Sequence, residues 1–345
     1  VGNPTPRTLR GAVVRVPVAA LWDAEHGGGA LISPIGGDHT ALPQQMLSSP
    51  RGAVVVFRAD ELPPMASVNF LATPRTGGKP ADPEALAVPF DVSNGVLTLR
   101  KRLAGGDLID DVVIGGVSLG RVQALVHQNV GQDLWLPANR LVSVRRVAGP
   151  VKTTLEFVAE YRPEAAGEVR TAVDDAGTPA AARGKGAAWR ARYRLRIAGG
   201  LPAFELTCLS VTNADDRPWR LVSYFHFLPS HIGGSPAGDA ASVGEVPSYH
   251  GLRTVWFDAK ARAGYGAVVP APLEGNFWLD PAGGQHPDVR RPIDKLLAPG
   301  ETWTAPGDEA PAWVFGVRGP PANRPWRDLA EDLQARAKLS VKVWR

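Results

Sequence analysis

The chain has 345 residues, 44% of them hydrophobic, a formal net charge of +4 at pH 7 and a single cysteine. That apolar content is normal for a globular protein with a sizeable core, and the length suits one large all-β domain or two smaller ones. The charge excess contains no Lys/Arg block, which argues against nucleic acid as a partner, and one cysteine excludes an internal disulfide framework.

Glycine and proline, 38 and 32 residues, are spread along the chain as punctuation between many short strands. Residues 11–18, GAVVRVPV, read as the first strand, followed by a glycine-rich loop over 23–29. Apolar runs follow at 53–57 and 65–72, with a loop over 73–87. Segments 89–92 and 96–101 flank Asn94-Gly95, the strongest short hairpin signal in the chain. Segments 111–119 and 121–128 read as a second hairpin around Gly120, with further strands at 134–137, 141–147 and 151–161. Residues 162–188 are polar, Ala- and Gly-rich, and are expected to form a mobile loop.

The stretch 189–234 organises the rest. Trp189, Ala191, Tyr193, Leu195 and Ile197 alternate with Arg190, Arg192, Arg194 and Arg196, the pattern of a strand with two unlike faces. Gly199, Gly200 and Pro202 mark a turn. A second strand sets Phe204, Leu206 and Cys208 against Glu205 and Thr207. Turn chemistry at Asn213-Ala-Asp-Asp-Arg-Pro218 leads to a third strand, with Trp219, Leu221, Phe225 and Phe227 inward and Arg220, Tyr224 and His226 outward. The three are expected to form a consecutive meander. A four-arginine ladder needs acids, solvent or an anionic ligand. Glu156, Glu160 and Glu205 on neighbouring strands are expected to absorb Arg190 and Arg194, leaving the Arg220, Tyr224 and His226 end to line a groove.

Strands resume at 254–258, 265–269, 276–279, 301–304 and 313–317. Only 326–338 has helical spacing, with Leu329, Leu333 and Ala337 on one face after Pro325. The fold expected is an all-β antiparallel sandwich of residues 88–345, a small N-terminal β-subdomain over 1–87, and one C-terminal helix. No fixed-period repeat interrupts it. No apolar run has the length of a membrane span, and no signal-peptide pattern is present.

Candidate site residues come from type and position. Tyr224 and His226 share a strand face two residues apart. His231 follows at the strand exit, and Tyr249-His250 close the same Gly-rich loop. His127, Gln128 and Asn129 end another strand near Trp135. Taken singly, each has an ordinary explanation as a surface, loop or packing residue; together they mark a loop-strand unit. His226, His231 and His250 do not follow a zinc spacing, so no metal or cofactor is expected. Trp135, Trp256, Trp278 and Trp303 are candidates for stacking on sugar rings.

Two regions carry a resemblance. Gly2-Asn3-Pro4 with Arg10-Gly-Ala-Val-Val-Arg-Val-Pro-Val18, then Phe57-Arg-Ala-Asp-Glu-Leu-Pro-Pro64, resemble the small β-domain of class II α-mannosidases. Phe90-Asp-Val-Ser-Asn-Gly-Val-Leu-Thr-Leu99, then Gly106-Asp-Leu-Ile-Asp110, resemble the opening of the large β-supersandwich that follows it. The same galactose-mutarotase-like supersandwich occurs in polysaccharide lyases, exo-acting rhamnogalacturonan lyases among them, and in aldose epimerases. The mannosidases keep their metal and catalytic carboxylates on an α/β domain that this chain lacks, so their activity does not carry over.

What the resemblance implies is a carbohydrate-active protein, with a lyase cleaving an acidic, uronate-containing glycan as the favoured form. β-Elimination needs a group to neutralise the carboxylate, a base for the C5 proton and an acid for the leaving oxygen. Tyr224 and His226 are the acid/base candidates. His231 and Arg220 are candidates for the carboxylate, with Tyr249 and His250 completing the catalytic set. His127, Gln128, Asn129, Trp135, Arg192 and Arg220 are assigned to substrate. The alternatives are a non-catalytic carbohydrate-binding or accessory domain, and a mutarotase-like epimerase. An acidic polysaccharide is the expected partner, with no nucleic acid and no membrane, and the periplasm or cell exterior the expected location, cytoplasm remaining open.

Overall fold

The computed structural model describes residues 1–21, 29–35, 40–49, 52–75, 80–129, 133–163, 188–228, 240–242, 252–258, 263–269, 273–279, 285–293, 295–306, 311–318 and 325–343. Among these the chain is nearly all antiparallel β-structure, in two large sheets and a set of small ones. The loop expected over 162–188 lies outside the described residues from 164 to 187, as does the loop over 23–29 up to residue 28.

The ten-stranded sheet runs in the spatial order Ala240–Ser242, Leu252–Asp258, Ala263–Val269, Ala312–Arg318, Ala203–Asn213, Trp189–Ala198, Lys152–Tyr161, Arg140–Val147 and Glu84–Ala85, with Thr302–Thr304 beside Ala203–Asn213. The nine-stranded sheet runs Glu274–Leu279, Gln285–Arg291, Trp219–Leu228, Val117–Asn129, Ile109–Ile114, Leu97–Lys101 and Phe90–Ser93. Asp133–Pro137 and Leu296–Leu297 extend it. The two pack face to face over one core. Val112, Leu119, Val122, Ala124 and Val126 come from the nine-stranded sheet, and Leu155, Phe157, Trp189, Tyr193, Leu195, Phe204, Leu206 and Cys208 from the ten-stranded one. Alternation thus sorts each strand into a core face and an outer face. Trp189, fully buried, donates its indole N–H to the Leu136 carbonyl at 3.1 Å.

The expected meander does not form. Trp189–Ala198 and Ala203–Asn213 pair as neighbours, but Trp219–Leu228 crosses to the other sheet and pairs with Val117–Asn129 and Gln285–Arg291. Buried Asn213 holds the crossover. Its amide donates to the Arg217 and Leu297 carbonyls at 2.6 and 3.0 Å, and its oxygen accepts the Asp215 N–H. An Asn-Asp-Pro turn reads the same whether it ends a hairpin or a crossover.

Two hairpins behave differently. A hairpin forms around Asn94-Gly95 as the sequence predicts, with Gly95 at φ +90° and Ser93 paired with Thr98, so that the loop spans residues 94–97. The second hairpin turns at Gly115 and Gly116, with φ of +54° and +83°, rather than at Gly120. Two consecutive left-handed positions are what a two-residue hairpin turn of type I′ requires. Gly120 instead sits inside a strand opposite Val112, where the register slips.

The strand Leu9–Pro17 ends in a single helical turn, Val18–Leu21, and belongs to a three-stranded sheet with Gly52–Leu62 and Gln44–Ser49. Gly29–Pro34 pairs with Phe70–Arg75. One face of the three-stranded sheet buries Leu9, Val14, Val16, Phe57 and Leu62 together with Ala335. The other buries Leu47, Val54 and Val56 against Val151 of the large sheet.

The helix Pro325–Ala337 bridges the parts. Proline at its first position needs no N–H partner. Ala330 and Leu333 pack on Ala203, Val268 and Phe315, while Ala337 is exposed. Arg336 is pinned by Asp332 at 2.7 Å and donates to the Arg10 and Gly11 carbonyls.

Candidate anion-binding groove

Core burial dictates the polar face. Trp189, Ala191, Tyr193, Leu195 and Ile197 are all at most 2% exposed, so the four intervening arginines must point away from the sandwich. On the adjoining strand a bulge at Leu209 shifts the register between Arg192 and Tyr193. It keeps Val211 in the core and brings Thr207, Ser210 and Thr212 to the arginine side. The result is a groove of about 470 Å³ lined by Arg190, Arg192, Arg194 and Arg196, by Arg15 from the small sheet, and by Thr207, Ser210, Thr212, Thr302 and Thr304.

The ladder changes character along its length. The Arg192 side chain is 57% exposed, that of Arg194 16% and that of Arg196 8%. Glu156 accepts two hydrogen bonds from Arg194, at 2.9 and 2.6 Å, and a weaker one from Arg192 at 3.4 Å. Glu205 pairs with Arg196 at 3.2 Å. Arg194 is absorbed as the sequence predicts, but Arg190 is not. Its cross-strand neighbour Glu160 is engaged by Arg140 and Arg162, at 3.2 and 3.1 Å. Among the described residues neither Arg190 nor Arg15 forms an ion pair, so five guanidinium groups face two carboxylates.

Below the inner end lies Lys152, 2% exposed. It starts the strand Lys152–Tyr161 on the same face as Thr154, the cross-strand neighbour of Arg196. Among the described residues its Nζ has no hydrogen-bond partner, nor does the Nε of Arg196. Burial lowers the Lys152 pKa to about 7; the Arg196, Arg15 and Arg194 charges act the same way, and Glu205 opposes them. Burial alone would raise the Glu205 carboxyl, but Lys152, Arg196 and Arg15 hold it below its usual value. Burial also lowers Arg194 and Arg196.

The sequence-predicted residues divide between the sheets. Arg192 lies in the groove. Tyr224, His226 and Arg220 lie on Trp219–Leu228 in the other sheet, where the backbone ladder sets Tyr224 opposite Leu125 and Arg290, and His226 opposite Gln123 and Asp288. His127 pairs with Val222 and with Trp135, Gln128 with Leu221, and Asn129 with Asp133. These candidates therefore occupy three adjacent strands. His231, Tyr249 and His250 lie outside the described residues. Among the described residues no three His, Cys, Asp or Glu side chains converge as a metal site, and no helix is long and apolar enough to cross a membrane.

Lys152 and Arg15 were not singled out by the sequence, and Arg196 and Glu205 entered only as members of the ladder and its expected ion pairs. The alternation of VKTTLEFVAEY does put Lys152 on the polar face, but its surroundings also include Arg15 and Gln45 of the small sheet, more than a hundred residues away. Gln45 of the small sheet accepts the Val151 and Lys152 backbone N–H groups at 3.0 and 2.9 Å.

The architecture has solved counterparts. An α-mannosidase from Enterococcus faecalis V583 matches 96% of this chain and 44% of its own, at 10% identity and a TM-score of 0.50. A glycosyl hydrolase family 38 protein from Enterococcus faecalis matches 96% of this chain and 45% of its own, again at 10% identity and 0.50. A putative aldose 1-epimerase from Escherichia coli K12 matches 67% of this chain and 99% of its own, at 13% identity and 0.38. No family model and no curated protein matches the sequence. The resemblance carried by Gly2–Val18, Phe57–Pro64 and Phe90–Asp110 thus holds at the level of fold, and the chain spans less than half the length of the mannosidase chains.

Proposed function

We propose that this chain is a carbohydrate-directed domain that holds an acidic glycan in its arginine groove. The supporting observation is the charge imbalance: five arginines and a row of Ser and Thr hydroxyls line one cleft, and only two carboxylates, Glu156 and Glu205, pair with those arginines among the described residues. Guanidinium forks match carboxylate and sulfate oxygens, and the hydroxyls suit sugar hydroxyls. Binding rather than catalysis is favoured, because among the described residues the groove is lined by arginines and Ser and Thr hydroxyls, with no carboxylate, histidine or tyrosine in its wall. The test is titration with galacturonate oligomers and with neutral glucose oligomers of equal length. Binding of the former only, weakening as salt rises, is expected; equal binding of both would overturn the reading.

A second reading, lyase action on a uronate glycan, draws on Tyr224 and His226 two residues apart on a strand whose neighbours carry His127 and Arg290. In it Tyr224 and His226 move the protons, Arg220 and His231 take the carboxylate, and Tyr249 and His250 complete the site. Tyr224→Phe should then cut formation of the unsaturated product about a hundredfold or more. Absence of that product with every uronate glycan tried removes the reading and leaves the binding proposal standing.

A further inference from the structure

We infer that the inner end of the groove, where Arg15, Arg194 and Arg196 meet above Lys152 and Glu205, is a seat for one oxyanion of that glycan, and that seating it draws a proton onto Lys152. The inference rests on the groove being an acidic-glycan site; it adds where one anionic group sits and what binding does to the protein's protonation.

The geometry is that of an incomplete cluster. Buried polar atoms are ordinarily hydrogen-bonded, yet Lys152 Nζ and Arg196 Nε lack partners among the described residues. The charges around Lys152 come from each packed element. Glu205 belongs to Ala203–Asn213, Arg194 and Arg196 to the adjacent strand, Arg15 to Leu9–Pro17, and Glu156 to its own strand. Gly52–Leu62 adds Arg58, which reaches Gly199 beside the ladder's end. Gln44–Ser49 adds the neutral Gln45, whose Nε2 also lacks a partner among the described residues. Positive charge dominates, and Glu205 is already engaged by Arg196. An entering carboxylate or sulfate supplies the missing negative charge. It favours the ammonium form of Lys152, which burial and the arginines otherwise disfavour. By linkage, proton uptake on binding means that affinity rises as pH falls, by at most tenfold per pH unit for one proton.

Calorimetry of the full chain with a galacturonate oligomer and, separately, a sulfated disaccharide, in buffers of different ionisation enthalpy, reads the proton directly. The expected result at pH 7 is uptake of a substantial fraction of one proton, and affinity several-fold weaker at pH 8.5 than at pH 6. The ligand showing this linkage identifies the oxyanion. Lys152→Met should abolish uptake, flatten the pH profile and weaken binding at pH 6. As a second measure, the Lys152 Nζ resonance of the wild type should titrate at higher pH once the ligand is bound. Binding by the wild type without proton exchange, or a pH dependence that survives in Lys152→Met, overturns the inference and spares the proposed function. Failure of both acidic ligands to bind at any pH overturns both.

Discussion

Among the described residues two lysines are buried, and they are built differently. Lys101, fully buried, lies 2.7 Å from Asp110. That carboxylate also accepts the backbone N–H groups of Arg102 and Leu103, at 2.5 and 2.7 Å. Burial pushes the Asp110 carboxyl up, but Lys101 and the two amides outweigh it and hold it below the usual range. Every party is satisfied, so the pair is structural. Lys152 is nearly as buried and has no such shell. Residue type and burial do not separate a structural charge from a candidate site; completeness of the hydrogen-bonding shell does.

The comparison can be broken by mutation. Asp110→Ala should cost the most, about 3–5 kcal/mol of stability, because it leaves Lys101 buried and unpaired; denaturant unfolding measures it, and a loss under 1 kcal/mol would mean Lys101 is not dependent on Asp110. Lys152→Met should act oppositely. The folded state binds fewer protons than the unfolded chain between about pH 7 and the ordinary lysine pKa of 10.5. The contribution of Lys152 to stability therefore rises with pH across that window. Removing the amine should stabilise the protein, by roughly 2 kcal/mol more at pH 7 than at pH 9. Equal effects at both pH values would place Lys152 in a more polar setting than its burial implies. Arg192→Ala, at the exposed end, should change stability by about 1 kcal/mol or less while weakening binding of galacturonate oligomers and its salt dependence. The smallest effect belongs to Arg10→Ala. Its 3.5 Å pair with Glu61 is open to solvent on both sides, and a melting temperature within error of wild type is expected.

The sequence predicts the two-faced strand Trp189–Ala198 because period-two alternation is a local property, and it predicts the Asn94-Gly95 turn for the same reason. The destination of Trp219–Leu228 was not legible. Its apolar residues fit either sheet, and what selects one is the pairing with Val117–Asn129, remote in sequence. The site divides similarly. Arg192 was visible as part of the ladder. The graded burial from Arg192 to Arg196, and the enclosure of Lys152, arise when Arg15 and Gln45 arrive on strands of the small sheet, which no window around residue 152 contains.

The Asn94-Gly95 turn also bears on how the protein ages. Asn94 donates through Nδ2 to the carbonyls of Ala198 and Leu201, at 2.6 and 2.7 Å, and accepts the Val96 and Leu97 N–H groups on Oδ1. It therefore clamps the bend that follows the arginine strand. Asparagine followed by glycine is the sequence most prone to deamidation, since glycine offers little steric resistance to attack by its own backbone nitrogen on the side-chain amide. Conversion to aspartate would replace the donor with an anionic oxygen facing two carbonyl oxygens. Hydrolysis of one side-chain amide at the surface of one sheet would thus loosen the turn that fixes the inner end of the other sheet's arginine ladder.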